Sequence, residues 1–130
     1  MARPPSTQPT ELEMQILRVL WDDGECTVRQ IHIALVALRG EGYGYANTVK
    51  MLHVMLGKGL VSRDDSIRPQ TFHALVSEKR TQRSMLKDLV QRVYDGSSAS
   101  VILHALADRS ITPDELDQIR ELLNKREGNS

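Results

Sequence analysis

Apolar side chains recur at helical spacing through the first third of the chain and predict two helices. The first begins at Thr10, because Thr10 and Glu13 have the spacing of a capping box, in which each side chain bonds an orphan backbone amide of the first turn. A second capping box, Thr27 with Gln30, predicts the start of the next helix after Gly24 has ended the first. The predicted buried faces are Leu12, Ile16, Val19 and Leu20 in the first helix and Val28, Ile31, Leu35 and Leu38 in the second.

The segment that follows predicts a third helix and a β-hairpin. Apolar positions at i, i+3, i+4 and i+7 predict a helix over about residues 46–57, closed by two glycines. Short extended runs at 60–63 and 71–75 flank a polar, turn-rich segment and predict two paired strands. The predicted buried residues of the third helix are Thr48, Met51, Leu52 and Met55, and Gly57 and Gly59 end it.

The C-terminal half of the chain is predicted to be entirely helical. Its three helices, about residues 78–94, 100–107 and 113–125, are too short a set to bury their apolar side chains alone. A symmetric second copy of the chain would cover them, so a homodimer is expected. The residues predicted to form this dimer interface are Met85, Leu89, Val93, Val101, Ile102, Leu106, Leu116, Ile119 and Leu123.

Together these elements predict a mainly α fold with a small β-hairpin wing. Three helices and a hairpin in this order form a winged helix-turn-helix. The predicted organisation is a flexible arm at 1–9, a winged-helix DNA-binding domain at 10–76, a three-helix dimerisation domain at 77–126 and a tail at 127–130.

The composition is that of a soluble folded protein, with 40% hydrophobic and 26% charged residues. The N-terminal residues lack the apolar core of a signal peptide, and no apolar run reaches the ~18 residues of a membrane span, so cytoplasmic residence without membrane insertion is expected. The single cysteine, Cys26, is interpreted as a small residue at the beginning of a helix. No cofactor or metal is expected.

Seventeen basic and seventeen acidic residues cancel, but their distribution is uneven. Between Cys26 and Arg63 only one acid, Glu41, occurs, so a modest positive surface is expected there, although a solvated surface would explain the same pattern. The five basic residues of this segment are Arg29, Arg39, Lys50, Lys58 and Arg63.

The third helix carries the candidate DNA contacts. Asn47, Lys50 and His53 are spaced i, i+3 and i+6, so they lie along one side and could enter a major groove together. The alternative is a solvated polar face. The other candidate contacts are Arg29 at the start of the second helix, Tyr45 before the third, and Arg63 and Arg68 in and beside the hairpin turn.

No pattern of catalytic residues is present, and the protein is predicted not to be an enzyme. The chain contains no H-E-x-x-H, no glycine-rich phosphate loop and no G-x-S-x-G motif. Two other functions remain as alternatives: a winged-helix module that binds a partner protein instead of DNA, and a metal-responsive sensor that uses the scattered histidines, His32, His53, His73 and His104.

Several motifs resemble the BlaI/MecI penicillinase repressor family, and the likeness covers nearly the whole chain from Thr10 to Lys125. The resemblance implies a dimeric winged-helix repressor of a bacterial resistance or stress operon that binds an inverted-repeat operator and occludes the promoter. The motifs are Trp21–Leu35, Tyr45–Val61, the wing Arg63–Ala74, Thr81–Ser97 and Thr112–Leu123.

The resemblance also implies an inducer, a membrane sensor protease that triggers cleavage of the repressor. Well-known members are cut between an asparagine and a phenylalanine in the penultimate helix, whereas His104 and Ala105 occupy the matching positions here. The copper-responsive branch carries a C-terminal cysteine cluster, which this sequence lacks.

Overall fold

A computed structural model describes residues 8–128 and shows a mainly helical winged-helix fold, as predicted. Most of the predicted arm and the end of the predicted tail lie outside the described residues. The helices are α1 (Glu11–Asp23), α2 (Val28–Arg39), α3 (Tyr45–Lys58), α4 (Glu78–Val93), α5 (Ser98–Leu106) and α6 (Pro113–Gly128), and the strands are β1 (Cys26–Thr27), β2 (Val61–Asp64) and β3 (Thr71–Ala74).

Both capping boxes at the N-terminal end of the chain are confirmed. Thr10 Oγ1 accepts from the backbone N–H of Glu13 at 3.3 Å, and Glu13 Oε1 accepts from the backbone N–H of Thr10 at 2.8 Å. The same reciprocal pair joins Thr27 and Gln30, with distances of 3.2 and 2.8 Å. These bonds satisfy amides that the first turn of a helix leaves without partners, and so they fix where α1 and α2 begin.

The sheet contains a strand that was not predicted. The predicted hairpin forms from β2 and β3, and β1 adds to its other side, so that the strand order is β1-β3-β2. Cys26 pairs with Phe72, and both are buried. Cys26 therefore belongs to the sheet and is more than a small residue at a helix entrance. Burial, together with the charge of Asp23, raises the pKa of its thiol.

The core of the winged helix is formed by α1, α2, α3 and the sheet. Several residues differ in burial or position from the predictions. Leu38 was predicted to be buried and is 61% exposed, because the last turn of α2 extends beyond the core. Met51 is only partly buried against the core, and Gly57 lies inside α3, which Gly59 ends in a left-handed conformation. Leu17, which was not assigned to the core, is completely buried.

The chain divides into two compact units after Met85, within α4. The predicted boundary at residue 76 stays a prediction. In the second unit, Asp95 and Gly96 have positive φ angles and end α4. Helix α5 begins at Ser98, two residues earlier than expected, because Ser97 caps it by accepting from Ser100 N at 3.1 Å. Among residues 8–128, no helix combines the length and the apolar character required to cross a bilayer.

Candidate nucleic-acid interface

Helix α3 has one buried face and one polar, exposed face. Because the buried positions hold the helix against α2 and β2, the opposite face is presented to solvent in a fixed orientation. Within residues 8–128 the polar side chains of that face form no ion pair or hydrogen bond with other side chains. The buried residues are Thr48, Leu52 and Met55, and the exposed ones are Asn47, Lys50 and His53.

A cluster of aromatic side chains fixes the N-terminal end of α3 against α2. His32 Nδ1 lies 2.8 Å from Thr48 Oγ1, which joins the two helices by a hydrogen bond. The imidazole ring also stacks on Tyr43 at 6.2 Å and meets Tyr45 edge to face at 5.2 Å between ring centroids. Tyr45 therefore packs on His32 while remaining 50% exposed, which leaves part of its side chain accessible to a ligand.

Arg29 lies in the first turn of α2, next to backbone N–H groups at the positive end of the helix dipole. Its side chain is exposed and has no ion pair among the described residues. Thr27 and Gln30 are occupied by the capping box, so Arg29 is the side chain of this turn that remains available for a phosphate.

The two arginines of the wing differ in their surroundings. Arg68 lies in the exposed turn between β2 and β3 and has no acidic partner within residues 8–128. Arg63 forms an ion pair with Asp65, with Nε 2.8 Å from Oδ1, so its charge is partly neutralised. Asp64 is held within the turn by Ser66, whose hydroxyl and backbone N–H donate at 2.5 and 2.9 Å and keep the pKa of Asp64 below its ordinary value.

The positive surface expected from the distribution of charge is smaller in the folded protein. Lys58 forms an ion pair with the buried carboxylate of Glu13, with both oxygens within 3.0 Å of Nζ. Arg39 donates to Gln15 and lies 5.6 Å from the ring centroid of Tyr43. Of the five basic residues in this segment, Lys58 and Arg63 form ion pairs, and Arg29, Arg39 and Lys50 form none among the described residues.

The residues predicted to form a dimer interface remain accessible in the single chain. No residue of α5 or α6 is fully buried, although both helices carry several large apolar side chains. Met85, Val101, Leu116 and Ile119 are half-buried, and Leu89, Val93, Ile102, Leu106 and Leu123 are exposed.

The histidines are dispersed over the described residues. No group of three histidine, cysteine or carboxylate side chains within residues 8–128 is arranged to hold a metal ion. His104, at the position that matches the family's cleavage bond, accepts or donates a hydrogen bond with the hydroxyl of Tyr94 at 3.1 Å, and the two rings meet edge to face.

Comparison with known proteins identifies the group to which this fold and these motifs belong. The sequence profile described as "Penicillinase repressor" matches residues 9–125. The chain belongs to the penicillinase repressor family. Members of this family are transcription regulators and not enzymes, in agreement with the prediction.

Relatives of this chain within the family include the methicillin resistance regulatory protein MecI from Mammaliicoccus sciuri, Staphylococcus aureus strain N315 and Staphylococcus epidermidis. Each is 26% identical over 69 residues, which are 53% of this chain and 56% of the relative. The match therefore spans about half the length of these relatives. A solved MarR family transcriptional regulator from Silicibacter pomeroyi DSS is similar at a TM-score of 0.46 and 21% identity, over 92% of this chain and 71% of the other.

Proposed function

We propose that this protein is a dimeric, sequence-specific repressor that binds an inverted-repeat operator and occludes a promoter. The observation that carries the proposal is the outward face of α3, where Asn47, Lys50 and His53 have no partner within the described chain. Polar side chains on a helix whose other face is buried enter a major groove without breaking any intramolecular bond. Membership in a family of transcription regulators supports the same reading.

Each side chain of this face has a distinct role in the proposed complex. The amide of Asn47 bonds the N6 and N7 edge of an adenine, and the ammonium group of Lys50 reaches a guanine or a phosphate. His53, one turn further on, donates to a base or a phosphate. Arg29 and Arg68 contact the phosphate backbone on either side, which fixes the position of α3 in the groove.

Two copies of the chain place their α3 helices in successive major grooves, about 34 Å apart. The exposed apolar residues of α5 and α6 support this proposal, because a second copy would remove them from water. Phosphate contacts supply much of the affinity, so binding weakens as the salt concentration rises. Any signal that weakens the dimer releases the operator.

A fluorescence anisotropy titration against the DNA upstream of the coding region tests the proposal. Asn47→Ala is expected to cost about 1–3 kcal/mol at its base pair and to reduce discrimination between operator and competitor DNA. Lys50→Ala is expected to lower the affinity and the salt dependence of binding. The loss should be equal for all sequences if Lys50 binds a phosphate, and confined to one guanine if Lys50 contacts a base. Asn124→Ala, an exposed asparagine of α6, is the matched control and should bind like the wild type.

Failure to bind any upstream inverted repeat more tightly than competitor DNA at moderate salt would overturn the repressor proposal and favour the protein-interaction alternative. Induction is tested separately, by incubation with the cognate sensor protease followed by mass spectrometry. A fragment that ends near His104 would assign release to cleavage in α5, whereas an intact chain would exclude that route.

A further inference from the structure

A cavity of about 480 Å³ opens in the first unit between the base of the hairpin and the beginning of α4. Its volume lies within the range of about 300–1,000 Å³ that is usual for small-molecule sites. Its apolar part is formed by Pro9, Leu60, Leu75, Val76 and Met85. Leu75 is 57% exposed although it directly follows β3, so this side chain offers apolar surface to a ligand and little of it to the core.

The polar part of the cavity carries a single kind of charge. Of the described residues that line it, Arg80 is the one charged residue. Glu78, the nearest acid along α4, is paired with Arg18 and does not neutralise it. Within residues 8–128, Arg80 has no ion pair, and its backbone N–H is bonded to Ser77 Oγ.

Two residues with hydroxyl groups line the cavity on the same helix as Arg80. They are Thr81, which is 8% exposed, and Ser84, whose Oγ accepts from Gln8 Nε2 at 3.2 Å. A guanidinium with hydroxyl donors next to an apolar wall matches a carboxylate that is attached to a hydrocarbon body. An inorganic anion would leave the apolar wall uncovered, and a neutral hydrocarbon would gain nothing from the charge of Arg80.

We propose that this cavity binds a small organic monoanion, a carboxylate with an apolar body. The carboxylate lies on Arg80 with support from Thr81, and the hydrocarbon body covers Leu60, Leu75 and Met85. The site is separate from the outward face of α3. Its occupation by such an anion does not depend on whether the protein binds DNA.

The position of the cavity connects the ligand to the wing. Leu75 N donates to Leu60 O at 2.9 Å, and these two residues border the open ends of β2 and β3. A ligand that packs on both side chains contacts the base of the hairpin that carries Arg68. The ligand therefore acts as an effector of DNA binding, a consequence that rests on the proposed function.

The protein contains its own reporter of binding. Trp21 is the only tryptophan in the sequence, and its Nε1 donates to the carbonyl of Val76, a lining residue, at 3.0 Å. Octanoate, which does not absorb where tryptophan does, is the probe, and octanamide is its neutral isostere. Octanoate is expected to change the Trp21 emission saturably, with a dissociation constant at least tenfold below that of octanamide.

Substitution of Arg80 distinguishes specific binding of octanoate in the cavity from nonspecific adsorption of a surfactant. Arg80→Gln is expected to weaken octanoate binding about tenfold and to leave octanamide binding unchanged. Arg83→Gln, an exposed arginine of the same helix that does not line the cavity, is the matched control and should match the wild type. Both positions are exposed, and circular dichroism of each variant checks that the fold is kept.

No saturable change with octanoate, equal affinities for octanoate and octanamide, or equal binding by Arg80→Gln and the wild type would each overturn the proposed site. The effect on DNA is measured afterwards with the anisotropy assay. A change in operator affinity with octanoate that is absent in Arg80→Gln supports the effector role. Octanoate binding with unchanged operator affinity would remove the effector role alone, and absence of operator binding would remove the repressor proposal and leave the ligand site standing.

Discussion

Glu13 of the winged helix interacts both with its own helix terminus and with a residue far away in the sequence. The carboxylate of Glu13 closes the capping box of α1 and also pairs with Lys58 at the end of α3. Burial raises the pKa of Glu13, but the Thr10 amide and the Lys58 ammonium group outweigh this effect, so the pKa lies below its ordinary value. Deprotonated Glu13 therefore stabilises the folded state.

Glu13→Gln is expected to lower the free energy of unfolding by about 1–2 kcal/mol at pH 7, because the amide keeps the capping bond and loses the charge partner of Lys58. The contribution of Glu13 is fully present above the ordinary glutamate pKa of about 4.3 and is lost as the pH falls through the lower folded value. Urea unfolding at pH 7 and pH 3 measures it, and the difference between the variant and the wild type should shrink at pH 3. Glu11→Gln, an exposed position in the same turn, is the control, and an equal pH dependence in both variants would contradict the assignment.

Two threonines allow the same chemical change to be made in opposite contexts. Thr48 Oγ1 is bonded to His32, whereas the buried Thr71 Oγ1 has no hydrogen-bond partner in the described chain. Thr48→Val is expected to destabilise by about 1–2 kcal/mol, because it leaves a ring nitrogen without its partner. Thr71→Val is expected to be neutral or to stabilise by up to about 1 kcal/mol, because it removes a hydroxyl that burial disfavours. Thermal unfolding of both variants tests the pair, and equal losses would contradict the hydrogen-bond account.

At the scale of elements, the accuracy of sequence reasoning depends on how far apart the interacting groups are. The capping boxes at Thr10 and Thr27 were predicted because all their atoms lie within four residues, and the one at Thr112 and Glu115 in α6 follows the same rule. β1 was missed because a strand of two residues has no period of its own and exists through its pairing with β3. The exposure of Leu38 was missed because periodicity gives the face of a helix but not where the core ends.

In the candidate interface, too, local contacts were predicted from the sequence and contacts between distant residues were not. The spacing of Asn47, Lys50 and His53 placed them on one face of α3 from local geometry alone. The neutralisation of Lys58 by Glu13 joins residues 45 positions apart, and no local pattern indicates it. The positive surface was therefore overestimated where ion pairs are formed by the fold.

The wing provides a prediction at this scale. Asp65 pairs with Arg63 at 2.8 Å and adds a negative charge to the hairpin turn. Asp65→Asn is expected to raise the affinity for all DNA sequences about 3- to 5-fold, because an exposed pair of this kind is worth up to about 1 kcal/mol and Arg63 becomes free for a phosphate. Anisotropy titration at several salt concentrations should show a steeper salt dependence. Asp114→Asn, the same change in α6, serves as the control, and an unchanged affinity for Asp65→Asn would place the wing away from the DNA.

At the scale of the whole molecule, the two units differ in how completely they bury their apolar side chains. The winged helix has a core of residues that are almost entirely buried, including Ile16, Ile31 and Met55. The second unit exposes several large apolar side chains, of which Ile102, Leu103 and Leu122 are more than half exposed. Isolated exposed apolar residues are ordinary, but a concentration of them on two short helices is typical of an interface. We therefore expect the second unit to be completed by another copy of the chain.

Two isoleucines of similar exposure provide the matched test of this dimer. Ile102 in α5 is 54% exposed and Ile33 in α2 is 60% exposed. Ile102→Glu is expected to convert a dimer into a monomer at micromolar concentration in sedimentation equilibrium, because a charge buried in an apolar interface lacks a partner. Ile33→Glu should remain a dimer. Ile102→Glu should also bind a full inverted repeat no more tightly than a single half-site, since the gain from two linked contacts is lost. A monomeric wild type, or a dimer that only Ile33→Glu disrupts, would place the interface elsewhere.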